Sequence, residues 1–178
     1  MNVGVLSDIH GSLNDLKSAL RAMNQYNEDV ILCPGDILYH GPRNPIPESY
    51  NPKMIAELIN AFPKTFIFSK GNCDSEVDQL VINYPILQEN AFIYIDGISI
   101  LLTHGHKIEN ENFKAIGEKF RINLLITGHT HISIIETFDW GTHLNPGSIS
   151  LPKGNTKKSV AIINIKDGKY KINLKENA

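Results

Sequence analysis

Residues 3–36 of this 178-residue chain are VGVLSDIHGSLNDLKSALRAMNQYNEDVILCPGD. The apolar run Val3–Leu6 predicts a buried strand, and apolar residues at helical spacing predict a helix over Leu13–Met23. Asp29–Cys33 predicts a second strand, which ends at Pro34. A strand–helix–strand unit of this kind is typical of parallel strands in an α/β fold.

The same kinds of pattern continue to the C-terminus. A second helix is predicted to start at Asn51, and Thr65–Ser69 predicts the third strand of a βαβαβ unit. Later strands are joined by hairpin turns, at Asp96-Gly97 and at Asp167-Gly168, with a helix over Asn112–Phe120 between the two turns. These strands are predicted at Ala91–Ile95, Ile98–Thr103, Leu124–Thr127, Ser133–Phe138, Thr142–Asn145, Ser159–Ile165 and Tyr170–Leu174.

This order predicts a parallel-to-mixed sheet to which a second sheet is added, an α/β (α+β) sandwich. No repeat, low-complexity tract or linker divides the chain, so we expect one domain over residues 1–178.

Composition excludes several classes of protein. The chain has 17 Lys+Arg against 19 Asp+Glu, a net charge of -2, and 42% hydrophobic residues, which argues against disorder and against a strong nucleic-acid groove. No apolar run is long enough for a membrane span, and the N-terminus lacks the basic region of a signal peptide. Two cysteines make no disulfide framework, so we expect reduced thiols and a cytoplasmic protein.

Polar residues follow the predicted strands that end near Leu6, Cys33, Ser69, Thr103 and Thr127. Sites in open α/β sheets form beyond the carboxyl ends of strands, so we expect one polar cluster. Its mixed nitrogen and oxygen donors suit Mn, Fe, Zn or Co rather than calcium or magnesium. Their number would hold two metal ions if one carboxylate bridges them. The donors are Asp8, His10, Asp36, Asn72, His104, His129 and His131.

These motifs resemble the calcineurin-like metallophosphoesterase superfamily over nearly the whole chain. DILYHGPRN (36–44), GNCDSEVD (71–78) and NPGSIS (145–150) are similar to its small bacterial branch of YfcE-like phosphodiesterases. The resemblance implies two packed sheets flanked by helices, with a dinuclear metal centre at the sheet edge. The resemblance also implies which residues bind each metal ion. The first ion would be bound by Asp8, His10 and His131 and the second by Asn72, His104 and His129, and Asp36 would bridge the two.

The implied activity is hydrolysis of a small phosphodiester, through attack by a hydroxide that bridges two divalent metal ions. Mn is the metal expected first, with Ni, Co, Zn and Fe as alternatives. A phosphomonoesterase or nucleotide pyrophosphohydrolase with the same site remains an alternative. A non-catalytic scaffold, similar to the retromer subunit with this fold, is a further one, although all seven ligand positions are filled here.

The sequence departs from the broader superfamily at Cys73, where many members carry a histidine that is thought to protonate the leaving alkoxide. A thiol is a poor general acid at neutral pH, so His40 is the other candidate proton donor. Arg43, on the same loop as His40, is a candidate for binding a phosphate oxygen. Each of the three also has an alternative without a catalytic role. Cys73 would be a packed thiol, His40 an exposed loop histidine and Arg43 a solvated charge. With these three, Asp36 and Asn72 complete the candidate catalytic residues.

Four further features have weaker predictions. His106 is expected to have no role or to support a ligand, and His143 is expected at the surface. Asn145–Ser148 is expected to form a turn that buttresses the site. Trp140 is expected at a hairpin tip, partly exposed or in contact with another chain, which leaves a homo-oligomer open.

Overall fold

Three parallel strands form the start of the first sheet because two helices cross between them. The computed structural model describes residues 1–108 and 112–176. Parallel pairing places Val3 opposite Val30 and Ile31 opposite Phe66. The predicted βαβαβ unit is thereby confirmed, with the bounds β1 (Asn2–Val5), α1 (Leu13–Asn24), β2 (Val30–Cys33), α2 (Pro52–Ala61) and β3 (Thr65–Phe68).

The last two strands complete this sheet as a hairpin. They are β9 (Ser159–Lys166) and β10 (Lys169–Glu176), and the turn between them contains Asp167-Gly168 as predicted. β9 runs antiparallel to β1, which gives the strand order β10-β9-β1-β2-β3.

The middle of the chain forms a second mixed sheet, in the order β4-β5-β6-β8-β7. Its three central strands are parallel to one another, and the strand at each edge is antiparallel to its neighbour. The elements are α3 (Glu76–Gln79), β4 (Asn90–Ile95), β5 (Ile98–Thr103), α4 (Phe113–Phe120), β6 (Leu124–Ile126), β7 (Ser133–Phe138) and β8 (Gly141–Pro146).

The two sheets pack face to face, with helices outside them. Val5 and Leu32 from the first sheet meet Leu102 and Ile126 from the second in one apolar core. The apolar faces of α1 and α2 cover the outer face of the first sheet, and α4 packs on the outer face of the second. The expected sandwich of two mixed sheets flanked by helices is confirmed.

One element was missed by the prediction, and the predicted position of Trp140 is confirmed. The short helix α3 was not predicted, and it begins with a capping box formed by Ser75 and Asp78. Trp140 lies in the β7–β8 turn as predicted. Its indole ring packs so closely over Gly117 of α4 that a Cβ at that position would overlap the ring. Within residues 1–108 and 112–176, no helix has the length and apolar character needed to cross a bilayer.

Candidate metal centre

The predicted ligands occupy sharp turns directly after the strands. Asp8 and Asp36 follow β1 and β2 and have φ of 53° and 57°, and His10 has φ of 47°. His129 and His131 follow β6 with φ of 68° and 61°. Residues with side chains rarely adopt this left-handed conformation, although Asp and His tolerate it better than most. The turns aim five side chains toward one point between the two sheets.

The first group of ligands meets around two imidazole nitrogens. Nε2 of His10 lies 3.1 Å from Nε2 of His131 and 3.7 Å from Oδ1 of Asp8. His131 Nε2 lies 3.4 Å from the same Asp8 oxygen. All three residues are buried. The structure therefore brings Asp8, His10 and His131 together as one set.

The second group lies on the other side of Asp36. Oδ2 of Asp36 is 3.6 Å from His10 Nε2 and 3.4 Å from His104 Nε2, so this carboxylate faces both groups. His104 Nε2 is 3.1 Å from Oδ1 of Asn72, and the His129 ring lies 5.2 Å from the His104 ring, measured between centroids. The other six predicted ligands thus lie in two groups around Asp36.

Backbone carbonyl groups orient three of the imidazole rings. A carbonyl oxygen only accepts hydrogen bonds, so each Nδ1 that faces one carries the proton. Nε2 then presents its lone pair toward the other ligands, which is the arrangement of metal-binding histidines. The three bonds are His10 Nδ1–H to Tyr39 O (2.9 Å), His104 Nδ1–H to Pro34 O (2.8 Å) and His131 Nδ1–H to Leu151 O (2.6 Å).

The donor set fits divalent cations. Lone pairs of His10 and His131 face each other, and the buried Asp8 Oδ1 has no hydrogen-bond partner in the described parts of the chain. Such a cluster of acceptors is unfavourable unless positive charge lies between them. Separations of 3.1–3.7 Å are also those expected between two ligands of one cation with bonds of about 2.1 Å.

Without metal, the proton on His104 supplies positive charge beside Asp36. Burial disfavours the charged form of both Asp36 and His104, but their mutual contact outweighs it. The pKa of Asp36 is held well below its ordinary range by His104, and the carboxylates of Asp36 and Asp8 raise the pKa of His104 to about 9. Burial lowers the pKa of His131, although Asp8 opposes the shift.

Asp74 fixes the turn that carries Asp36. Its buried carboxylate accepts hydrogen bonds from the backbone N–H groups of Asp36 (2.9 Å), Ile37 (2.8 Å) and Gly71 (2.8 Å). Burial, opposed by these bonds, raises its pKa to about 6. No ligand pattern predicted Asp74. The signal available in the sequence was a carboxylate two residues after Asn72, beside a strand end.

The predicted buttress is present below Asp8. Ser148 and Ser150 both donate from Oγ to the Asp8 carbonyl oxygen, at 2.8 and 2.9 Å. Asn145 donates from Nδ2 to the carbonyl oxygen of Gly128, next to His129, at 2.7 Å. The segment therefore holds the ligand turns of both sheets.

Two glycines are needed for close approach to the ligands. A Cβ at Gly71 would overlap Oδ1 of Asp36, and a Cβ at Gly128 would overlap Oγ of Ser7 beside Asp8. Only glycine leaves the carboxylates their space at these two turns.

A cleft of about 860 Å³ opens over the cluster. Asp36, Asn72, His129 and His131 border it together with Cys73, whose Sγ lies within 4.8 Å of donor atoms of His10 and Asp36, and Arg43 and Lys153 line it as well. Burial, together with the charge of Asp36, raises the pKa of Cys73 to about 12, so the group is a neutral thiol at ordinary pH.

His40 is not among the residues that line this cleft. Its ring packs edge-on against Tyr39 and Tyr50, with centroids 4.7 and 5.4 Å away.

The prediction that His143 lies at the surface is wrong. It is 3% exposed, because its strand is central to the second sheet. Its Nε2 lies 2.9 Å from Thr127 Oγ1 and its Nδ1 lies 3.1 Å from Glu136 Oε2. His106 lies beside the ligands, with its ring 5.3 Å from that of His104.

Known proteins resemble this chain in sequence and structure. A family model described as a calcineurin-like phosphoesterase superfamily domain matches residues 1–168. Phosphodiesterase YfcE of Escherichia coli is 37% identical over 163 residues, which cover 92% of this chain and 87% of that protein. The solved structure of the E. coli YfcE phosphoesterase matches with a TM-score of 0.83 and 36% identity, over 92% of this chain and 88% of the other.

A further likeness concerns the fold alone. Vps29 of Entamoeba histolytica, solved with zinc, matches with a TM-score of 0.67 at 22% identity over 99% of both chains.

Proposed function

The chain belongs to the calcineurin-like phosphoesterase superfamily and is a homologue of phosphodiesterase YfcE, and we propose that it hydrolyses small phosphodiesters with two divalent metal ions. The observation that carries the proposal is the set of buried Nε2 lone pairs that face Asp8 and Asp36 at 3.4–3.7 Å. This arrangement is stable only with positive charge at its centre.

In the proposed site, Asp36 serves both ions. Mn is the metal we propose, with Ni, Co, Zn and Fe as alternatives that the same donors suit. The first ion would be held by Asp8, His10 and His131, and the second by Asn72, His104 and His129.

The bound cations would polarise the phosphoryl oxygens and supply a hydroxide nucleophile from water at neutral pH. The chain's own residues position the substrate. Arg43 and Lys153 line the cleft beside the ligands and place two positive side chains near a bound phosphate. Cys73 borders the same space as an uncharged thiol. Of the two candidate proton donors, only Cys73 lines the cleft, while His40 supports the loop from beside it.

The proposal also covers the domain organisation of the enzyme and its cellular compartment. We treat residues 1–178 as one catalytic domain, because the ligands come from turns spread between Asp8 and His131. Cys33 and Cys73 are both free thiols, which suits the reducing cytoplasm.

The test replaces Asp36 with asparagine. Asp36→Asn keeps the size of the side chain and an oxygen that can accept from Cys73 N–H, a bond of 2.8 Å here, but it removes the charge that both groups share. We expect manganese-dependent hydrolysis of bis(p-nitrophenyl) phosphate to fall at least roughly 100-fold. Asp139→Asn is the matched control, since Asp139 is an exposed residue in the β7–β8 turn. Wild-type turnover in the Asp36 variant would contradict the proposal.

The alternatives are separated in the same assay. Faster release of p-nitrophenolate from p-nitrophenyl phosphate than from bis(p-nitrophenyl) phosphate would favour a phosphomonoesterase. Faster cleavage of a nucleoside diphosphate than of that diester would favour a pyrophosphohydrolase. No stimulation by Mn, Ni, Co or Zn would favour a scaffold.

A further inference from the structure

A second pocket lies beside the metal ligands, on the outer face of the second sheet. It encloses about 490 Å³, which is within the range of small-molecule sites. Its floor is the β7–β8 hairpin, and its walls are α4 and the turns after β5 and β6. We call it the hairpin pocket.

Strand alternation gives the hairpin pocket a floor of two apolar side chains with the carboxylate of Glu136 between them. Successive side chains of a strand point to opposite faces, and Ile134, Glu136 and Phe138 of β7 all face the pocket. Ile132 lies just before them, and Phe113 closes the side at the start of α4. Ile134 is apolar and 36% exposed, so a ring bound in the pocket would remove apolar surface from water.

The deep wall of the pocket is rigid. His143 has both ring nitrogens bonded, to Thr127 and to Glu136, and the Phe113 ring packs against it with centroids 4.1 Å apart. A preformed wall of this kind favours a rigid, flat ring over a flexible chain, because neither the wall nor the ring loses much conformational freedom on binding.

The pocket adjoins the cleft over the predicted ligands. His129 and Thr130 line both the hairpin pocket and the 860 Å³ cleft. His106 stands at the same end, and its buried Nδ1 has no partner in the described parts of the chain. Imidazole groups therefore lie at the end of the pocket nearest the predicted ligands, and Ile134 and Phe138 of β7 lie farther out, with Glu136 between them and Lys114 on α4.

We propose that the hairpin pocket binds an aromatic ring carried by one ester arm of the phosphodiester, which makes Ile134 and Phe138 specificity determinants. The inference rests on the proposed function, since it names the substrate class of the same site. The other ester arm then lies in the cleft lined by Arg43 and Lys153.

The first test compares the turnover of two variants, each with serine in place of one of two neighbouring isoleucines. Ile134 and Ile135 lie on the same edge strand and are 36% and 40% exposed, but only Ile134 lines the pocket. With bis(p-nitrophenyl) phosphate, where both arms carry rings, Ile134→Ser is expected to lower kcat/KM roughly fivefold to tenfold. Ile135→Ser should leave it within about twofold. Equal effects of the two substitutions would overturn the inference.

Binding tests the pocket without turnover. Trp140 is the only tryptophan of the chain and stacks on Phe138, with ring centroids 5.4 Å apart. Recorded before the first turnover, the tryptophan emission of the manganese-loaded protein should therefore change at concentrations of diphenyl phosphate roughly tenfold lower than those of dimethyl phosphate. Ile134→Ser should weaken binding of the diphenyl ester only. The same affinity for both esters would overturn the inference even if the enzyme is active.

Two further ligands identify the source of the ring. Benzyl methyl phosphate carries a simple aromatic ring, and thymidine 5′-methyl phosphate carries a nucleobase. Tighter competition by the first supports a simple ester with an aromatic ring as substrate, and tighter competition by the second supports a nucleotide ester. If neither ligand competes with diphenyl phosphate better than dimethyl phosphate does, the inference is overturned. If the protein shows no metal-dependent hydrolysis at all, the proposed function is overturned with it.

Discussion

At the scale of single residues, the site depends on which imidazole nitrogen carries the proton. Pro34, Tyr39 and Leu151 each accept a bond from Nδ1 of a ligand histidine, and thereby leave Nε2 free. The sequence predicted the candidate ligands because Asp, Asn or His follows each of five strands within a few residues. It did not predict these acceptors, because any residue can supply a backbone carbonyl and only the path of the chain selects one.

Arg43 is expected to act on substrate affinity rather than on the chemical step. It lines the cleft but is exposed and has no ion pair in the described ranges. Arg43→Ala should raise KM for bis(p-nitrophenyl) phosphate about fivefold and change kcat by less than about twofold, which steady-state kinetics will show. Lys157→Ala, at an exposed lysine that does not line the cleft, is the control. A fall in kcat alone would place Arg43 in the chemical step instead.

Cys73 is expected to matter only when the leaving group needs a proton. p-Nitrophenolate departs as an anion, so Cys73→Ser should leave its release within about twofold of wild type. Cys73→His restores an imidazole at this position and should speed the cleavage of alkyl esters, because its pKa suits a general acid. Release rates for a series of alcohols, measured for both variants, check this. Equal rates in Cys73→His and wild type across the series would contradict it.

At the scale of elements, the prediction was accurate wherever one local pattern decided the structure. The hairpin turns at Asp96 and Asp167 and the periodic faces of α1 and α2 are examples. The prediction failed for His143, because whether β8 is a central or an edge strand depends on the order in which distant strands pair. Helix α3 was missed because it is four residues long and has no buried face to set a period.

The contact between α4 and the β7–β8 turn gives a prediction about stability. An alanine in place of Gly117 would favour the isolated helix by about 1 kcal/mol, but its Cβ would overlap the Trp140 ring. We expect Gly117→Ala to lower the free energy of unfolding by about 2 kcal/mol, measured by urea denaturation. In a Trp140→Leu background the same substitution should become neutral or stabilising. Additive effects of the two changes would show that the contact is unimportant.

At the scale of the whole molecule, the metal centre joins the two sheets. Asp8, His10, Asp36 and Asn72 follow strands of the first sheet, and the three remaining histidines follow strands of the second. The sequence predicted one cluster of these residues. It did not by itself predict that the cluster lies between sheets, because strand order follows from long-range pairing.

Metal binding is therefore expected to stabilise the fold as a whole. Manganese at about 100 times its dissociation constant should add about 2.7 kcal/mol and raise Tm by roughly 5–10 °C, and a chelator should reverse the shift. Differential scanning calorimetry with and without manganese measures this. Asp36→Asn should abolish most of the shift, and an unchanged shift in that variant would mean that the ions bind elsewhere.

The left-handed turns at Asp8, His10, Asp36, His129 and His131 set activity against thermostability. Each such residue costs on the order of 1 kcal/mol, which glycine at the same position would relieve. Selection for heat resistance alone, in the absence of metal, would therefore enrich glycine at the very positions proposed to bind the ions. Directed evolution of a more robust variant should keep these five codons fixed and seek its gains elsewhere in the sandwich.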